Sequence, residues 1–332
     1  MEALPAAILV RAPNWVGDTV LSIPMLRALR ARFPGATIGL TGPAAHLIAP
    51  GPWADRLLPT PQRWPFWLPW LVAIRRARFD VALILPNSFQ SALAIRLAGI
   101  PCRIGYAGDG RAWLLTTALP RPKGLHQAEA YMGLLSPLGV VSSTLPPEYP
   151  IGDETEREAG LLWQRAGLGE RPTVGIHLGA AFGPSKLWWP ERYAELGSRL
   201  SAREPLDVVF FGSPQERGLW QIIERQLSRP IPSLVGRDRL EILPALLRRC
   251  RVLVSGDTGA MHLAAAVGVR VVALFGPTDP RLTRPLGEGH TVIWKEVPCA
   301  PCFLPQCPID HPCMGQISVD EVEAAVLRAL KR

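Results

Sequence analysis

The chain has 332 residues, enough for two domains of ordinary size. Hydrophobic residues make up 48% and charged residues 19%, the balance of a soluble globular protein. No apolar run reaches the roughly 18 residues of a membrane-spanning helix. Six cysteines in so long a chain do not make a disulfide scaffold. The N-terminus lacks a basic leader region and reads directly into a strand, so no signal peptide is expected and the expected compartment is the cytoplasm. The formal net charge of +8 is uneven: residues 1–150 carry 14 Lys and Arg against 7 Asp and Glu, and residues 151–332 carry 22 against 21. The first half is therefore expected to meet an anionic partner. Nucleic acid, an anionic membrane and a phosphorylated glycolipid all qualify; the lack of a zinc-finger or RNP pattern favours the lipid readings. The competing reading is that arginine-rich helix surfaces reflect a GC-rich genome.

Short apolar runs alternate with helical stretches. Ala7–Arg11 reads as a strand, followed by a helix over Asp18–Phe33. Thr37–Thr41 and Val81–Leu85 are further strands, the latter followed by Asn87-Ser88 and a helical run Phe89–Leu97. The second half repeats the scheme with strands at Thr173–His177, Asp207–Phe211, Val252–Val254 and Arg270–Phe275. This alternation implies parallel sheets, and two such sets imply two doubly wound α/β domains. The Pro-rich stretch 146–169, with a charged helix near Asp153–Ala166, holds the boundary. The expected division is 1–155, 156–317 and a C-terminal amphipathic helix over 318–332.

The turn Ser255-Gly256-Asp257-Thr258-Gly259 separates the strand Val252–Val254 from a helical stretch Ala260–Val267. Thr258 is placed to cap that helix, and Gly256 and Gly259 allow close backbone approach. The free amides of the first turn then form a seat for a phosphate. His262 lies on the same turn, where it reaches that ligand or packs as a core histidine. Asp18 follows the first strand at the end where open parallel sheets bind ligands; its bland role is an N-cap. Lys186 sits in the loop 177–189 among Gly179, Gly183 and Ser185, a composition that favours close phosphate approach; its bland role is a solvated loop lysine. Ser213-Pro214-Gln215-Glu216 reads as a capping box with Pro at the first helical position.

Cys299, Cys302, Cys307 and Cys313 form C-x2-C-x4-C-x5-C with His311 between the last two. A structural zinc, reduced packing thiols and a disulfide all remain open, since these spacings are not those of a standard zinc ribbon. Trp64, Trp67 and Trp70 recur every three residues ahead of Arg75, Arg76 and Arg78. They suit a membrane interface or a helix packed on the first sheet. No Asp-x-Asp triplet follows any strand, so no acidic seat for a catalytic metal is expected.

The segments Pro13–Asp18, Pro86–Ala92, Gly179–Tyr193, Ser255–His262 and Gly276–Pro280 together resemble the ADP-heptose:lipopolysaccharide heptosyltransferases of glycosyltransferase family 9. The segments Leu85–Leu93 and Gly99–Tyr106 are more similar to the branch that adds the second heptose than to the one that adds the first. The resemblance covers most of the chain. It implies a GT-B fold, two Rossmann-like domains facing across a cleft, with the last helix packing back toward the first domain. It implies an inverting, metal-independent transferase that moves heptose from ADP-heptose to the heptosyl inner core of lipid A, with no cofactor. By that resemblance Asp18 deprotonates the acceptor hydroxyl, Lys186 stabilises the departing ADP and Glu216 holds the ribose. Asp257, Thr258, Gly259, His262, Gly179 and Ser185 bind the rest of the donor. Asn87, Ser88, Trp67, Trp70, Arg75 and Arg76 belong to the acceptor and membrane side, at the inner face of the inner membrane. Other readings are a family member with another acceptor or sugar and a non-catalytic sugar-nucleotide binder. A nicotinamide-dependent oxidoreductase is weakened by the missing Gly-x-Gly-x-x-Gly after the first strand.

Overall fold

The computed structural model describes residues 5–60, 67–141 and 145–331. The chain divides into two compact units, residues 1–150 and 151–332. The break falls ahead of the expected 155 because the helix Asp153–Arg165 belongs wholly to the second unit. It packs on the helix Leu243–Arg248 there. Its Glu156 pairs with Arg248 at 2.6 Å and Glu158 with Arg239 at 2.5 Å.

In the first unit the strands are β1 (Ala7–Arg11), β2 (Thr37–Thr41), β3 (Arg56–Leu58), β4 (Val81–Ile84), β5 (Cys102–Tyr106) and β6 (Thr117–Leu119). They form one sheet in the order β3-β2-β1-β4-β5-β6, parallel at every pairing. β1 is buried from Ile8 to Arg11, as a strand covered by helices on both faces must be. The direction of winding reverses between β1 and β4, so the turns after these two strands flank the switch point where such sheets take ligands. The expected helix over Asp18–Phe33 is two helices, Val16–Leu21 and Ile23–Arg32. The break is at Ser22, whose hydroxyl bonds back to Thr19 O at 2.7 Å, with Pro24 unable to continue the first ladder.

The second unit contains β7 (Thr173–His177), β8 (Asp207–Phe211), β9 (Val252–Gly256), β10 (Arg270–Phe275) and β11 (Thr291–Trp294). Its order is β11-β10-β9-β7-β8, again parallel throughout, with the switch point between β7 and β9. The core joins Val174, Ile176, Val254, Val272 and Leu274 from the strands to Trp188, Tyr193 and Leu196.

The C-terminal helix runs Val319–Lys331. Val319, Val322, Ala325, Val326 and Ala329 are buried in the core of the second unit, against β9, β10, β11 and the helix Pro190–Ser201. Charge fixes the same placement: Arg199 reaches Asp320 at 2.5 Å, Arg203 reaches Glu323 at 2.8 Å and Lys295 reaches Glu321 at 2.7 Å.

Candidate functional site

Within the second unit, the loops after β7 and β9 meet at the switch point. Lys186 ends the short turn Pro184–Lys186, and Asp257 follows β9 directly. The Lys186 ammonium donates to Asp257 Oδ2 at 2.6 Å and to the Asp257 carbonyl at 3.0 Å. Both side chains are nearly buried, at 11% and 7% exposure. Thr278, in the turn after β10, donates its hydroxyl to the same Oδ2 at 2.8 Å. Asp257 is therefore the hub that aims the lysine. The Phe182 ring lies 4.9 Å from the Lys186 ammonium and adds a cation–π contact. A Cβ on Gly256 would sit 3.2 Å from Lys186 O, so the glycine lets the two loops close on each other. Thr278 lies in the segment Gly276–Pro280, and its contact with Asp257 was not legible in the sequence because only the sheet order brings β10 beside β9.

The helix after this turn runs Gly259–Ala266, with Thr258 at its N-cap in extended backbone. The Thr258 hydroxyl does not cap it. That hydroxyl lies 3.2 Å from Ser255 Oγ, and no side chain caps the first-turn amides. The dipole end and amides of this helix thus point out of the carboxyl edge of the sheet beside Lys186, the arrangement that receives a phosphate. Gly259 opens the helix, and His262 is buried on it at 4% exposure.

Ser185 ties the Lys186 loop to the segment that follows β11. Its hydroxyl donates to Leu304 O at 2.6 Å, its amide to Pro305 O at 3.1 Å, and its carbonyl takes a hydrogen bond from His311 Nε2. Gly183, at φ +149°, presses so close to Pro305 O that a Cβ would lie 2.3 Å away. The cysteine-bearing segment 299–313 therefore clamps the Lys186 loop onto the unit. All four of its cysteines are free thiols, Cys299 exposed, Cys302 and Cys307 half-buried and Cys313 buried. Among the described residues no group of three or more His, Cys, Asp or Glu side chains is arranged to hold a metal, so the zinc reading gains no support from geometry. Gly179 packs over the His177 ring and donates its amide to Nδ1 at 3.1 Å. Burial pushes the His177 imidazole down to about 4, so it is neutral.

Glu216 closes the short turn Pro214–Glu216 after β8. Ser213 caps that turn through Gln215 N at 3.3 Å, and its hydroxyl donates to the Glu216 carboxylate. The box is thus made by hydroxyl and carboxylate, and Glu216 stands at the carboxyl edge of β8 as a hydrogen-bond acceptor.

In the first unit Asp18 lies in the first turn of the helix Val16–Leu21, half-buried, while the N-cap is Trp15, without a side-chain cap. The carboxylate is thus an in-turn acid beside the switch point and not the cap. Burial, together with the Asp18 charge, pushes the Tyr131 phenol well above its ordinary value. Arg11 shapes the preceding turn by donating to Asn14 Oδ1 at 2.7 Å. The turn after β4 is organised by Arg111, fully buried, which donates to Pro86 O, to Asn87 Oδ1 at 3.3 Å and to Tyr106 O at 2.9 Å. Ser88 caps the helix Phe89–Leu97 through Ser91 N at 3.4 Å.

Trp67 and Trp70 turn toward the sheet rather than outward. Trp64 lies outside the described residues. Trp70, on the helix Trp67–Arg76, is 7% exposed and donates its Nε1 to Thr41 Oγ1 at 2.9 Å. Trp67 is half-buried and stacks edge-on to it at 6.4 Å. Spacing by three puts both on one helical face, and that face seals the first sheet. The outward face carries Leu68, Val72, Arg75 and Arg76. No helix among the described residues is long and apolar enough to cross a membrane.

Comparison with known proteins agrees with this geometry. Residues 71–312 match the model of glycosyltransferase family 9 (heptosyltransferase). The lipopolysaccharide heptosyltransferase 2 of Salmonella typhimurium is 34% identical over 308 residues, covering 86% of this chain and 87% of that protein. Its counterpart from Escherichia coli K12 is 33% identical with the same coverage. The solved structure of E. coli ADP-heptose lps heptosyltransferase II is similar with a TM-score of 0.84 at 30% identity, covering 98% of each chain. Two doubly wound parallel units and matches of this extent have one conclusion: the chain is a glycosyltransferase of the GT-B fold and belongs to glycosyltransferase family 9.

Proposed function

We propose that this protein transfers heptose from ADP-heptose to the heptosyl inner core of lipid A in lipopolysaccharide biosynthesis. The observation that carries the reading is the junction of Lys186, Asp257 and Thr278 beside the uncapped helix Gly259–Ala266. A buried ammonium and a set of free amides on one sheet edge are matched to a diphosphate. As the bond between the heptose anomeric carbon and the ADP phosphate oxygen breaks, negative charge grows on the departing ADP. Lys186 and the Gly259 helix end stabilise it, which replaces the role of a metal ion. Glu216 accepts from the ribose hydroxyls. Asp18 takes the proton of the acceptor hydroxyl as that oxygen attacks the anomeric carbon from the opposite face, so the product is inverted. His262, Thr258 and Gly179 line the donor end.

The acceptor is anchored in a membrane, and the first unit carries the excess of basic charge. Leu68 and Val72 with Arg75 and Arg76 form the peripheral contact with the inner face of the inner membrane: apolar insertion flanked by charges for anionic headgroups. The decisive experiment is a transfer assay with ADP-heptose on defined inner-core acceptors, with and without EDTA. Heptose added to the mono-heptosylated acceptor, at a rate EDTA leaves unchanged, is the expected result. Transfer only to an acceptor lacking heptose would assign the chain to the first-heptose step. Loss of the rate in EDTA, restored by Mg²⁺, would overturn the metal-free mechanism.

A further inference from the structure

Asp238 is a buried carboxyl that none of the chemistry above uses. It is 7% exposed, and it ends a segment that runs beside the edge strand β8. Phe210 N donates to Pro232 O at 3.1 Å, Leu234 N to Phe210 O at 2.8 Å and Gly236 N to Gly212 O at 2.6 Å. Asp238 completes the ladder: its Oδ2 accepts from Gly212 N at 2.7 Å. Both backbone groups of Gly212, the first residue after β8, are thus held by this one segment. Gly212 in turn abuts Glu216, where a glycine Cβ would lie 3.2 Å from the Glu216 Cβ. The second carboxyl oxygen, Oδ1, is buried without a hydrogen-bond partner among the described residues. A half-satisfied buried carboxyl is costly, and a fold that needs only a turn there would replace it with an apolar side chain or an amide.

We infer that Asp238 is a positioning residue of the nucleoside subsite: by gripping Gly212 it sets the 212–216 turn and thereby aims the Glu216 carboxylate at the ribose hydroxyls of the donor. The inference rests on the reading of the second unit as the ADP-heptose side. The charged groups around Asp238 are Glu216 and Arg217 on the facing turn, with Arg217 donating to Gly236 O at 3.3 Å, and Arg237 and Arg239 on its own segment. Burial pushes the Asp238 carboxyl up to about 8, and the Glu216 charge pushes the same way. At neutral pH it therefore holds its proton. Above pH 8 a second charge appears beside Glu216 and drives the turn apart.

The test measures ADP and inorganic pyrophosphate binding to the full chain by calorimetry from pH 6.5 to pH 9, with donor KM and kcat alongside. For the wild type, ADP affinity is expected to fall as pH rises through 8. Asp238→Asn keeps an acceptor for Gly212 N and cannot ionise, so it binds ADP as tightly as wild type at pH 6.5 and loses that fall. Asp238→Ala strands the Gly212 amide and binds ADP about tenfold more weakly than wild type at pH 6.5, with no further fall toward pH 9, the effect of one buried hydrogen bond. Its donor KM rises in step, kcat changes far less, and pyrophosphate binds as before. An Asp238→Ala variant that folds and binds ADP like wild type overturns the inference. So does an Asp238→Asn variant that keeps the wild-type pH profile, which decides the matter even where the alanine variant does not fold. Wild-type protein that fails to bind ADP at all overturns the assignment of the donor side, and this inference with it.

Discussion

Removing the Asp257 carboxylate is the sharpest test of the site. In Asp257→Ala the Lys186 ammonium, 11% exposed, keeps only the residue 257 carbonyl at 3.0 Å and the Phe182 ring at 4.9 Å. It loses a charge-assisted hydrogen bond of 2.6 Å, and Thr278 loses its acceptor. Breaking a buried ion pair from one side costs about 3–5 kcal/mol, because the remaining charge stays desolvated. The surviving carbonyl and ring offset part of this, so about 3 kcal/mol is expected. For a unit of this size each kcal/mol moves the midpoint by roughly 2–4 °C, which gives a fall of about 6–12 °C in the unfolding of the second unit. Thermal unfolding followed with and without ADP reads the effect. Added ADP is expected to raise the variant's midpoint more than the wild type's, because the phosphate supplies the anion that Lys186 has lost. Replacing both partners, as Lys186→Met with Asp257→Leu, should cost less stability than Asp257→Ala alone while abolishing the ADP response. A midpoint of Asp257→Ala within about 1 °C of wild type, with the same ADP shift, would refute the view of Asp257 as the hub that holds and aims the lysine.

Asp18→Asn should lower turnover by roughly 10²–10⁴ with donor affinity intact, the weight of a general base; a near wild-type rate would remove that role. Burial holds the His177 imidazole near 4 in the folded chain, against about 6.5 when unfolded. The unfolded state therefore binds the extra proton between these values, so stability present above pH 6.5 is lost as pH falls toward 4, by about 3 kcal/mol. His177→Asn should flatten that acid limb, and an unchanged limb would show that other groups set it. Thiol labelling of the native protein should modify Cys299 first and Cys313 and Cys250 last, following their exposure. Protection of all four clustered thiols by a stoichiometric zinc would instead restore the metal reading. Replacing Leu68 and Val72 by Ser and Arg75 and Arg76 by Gln should weaken binding to anionic vesicles and raise the acceptor KM by a larger factor than the donor KM. Undiminished vesicle binding would place the docking surface elsewhere.

Much of the architecture is legible in the sequence because it is written in short-range periodicity. A buried parallel strand must be a nearly continuous apolar run, as at Ala7–Val10 and Val252–Val254, and the glycine-flanked turn after β9 marks the candidate site within a few residues. The family resemblance rests on the same local segments. Strands β3 and β6 escape such reading, since three residues carry no period. Which partners meet was decided only by tertiary structure. Lys186 and Asp257 are 71 residues apart, and they join because β7 and β9 are neighbours in the sheet. Thr278 enters from β10 by the same order. Spacing by three placed Trp67 and Trp70 on one helical face but could not say which way it turned; the Thr41 hydroxyl, 29 residues away, took the Trp70 indole inward. The apolar stripe of Val319–Lys331 announced an amphipathic helix, and only Arg199, Arg203 and the core of the second unit fixed its resting place. Periodicity fixes which side of an element is apolar; crossover connections and long-range charge pairing fix what that side is pressed against.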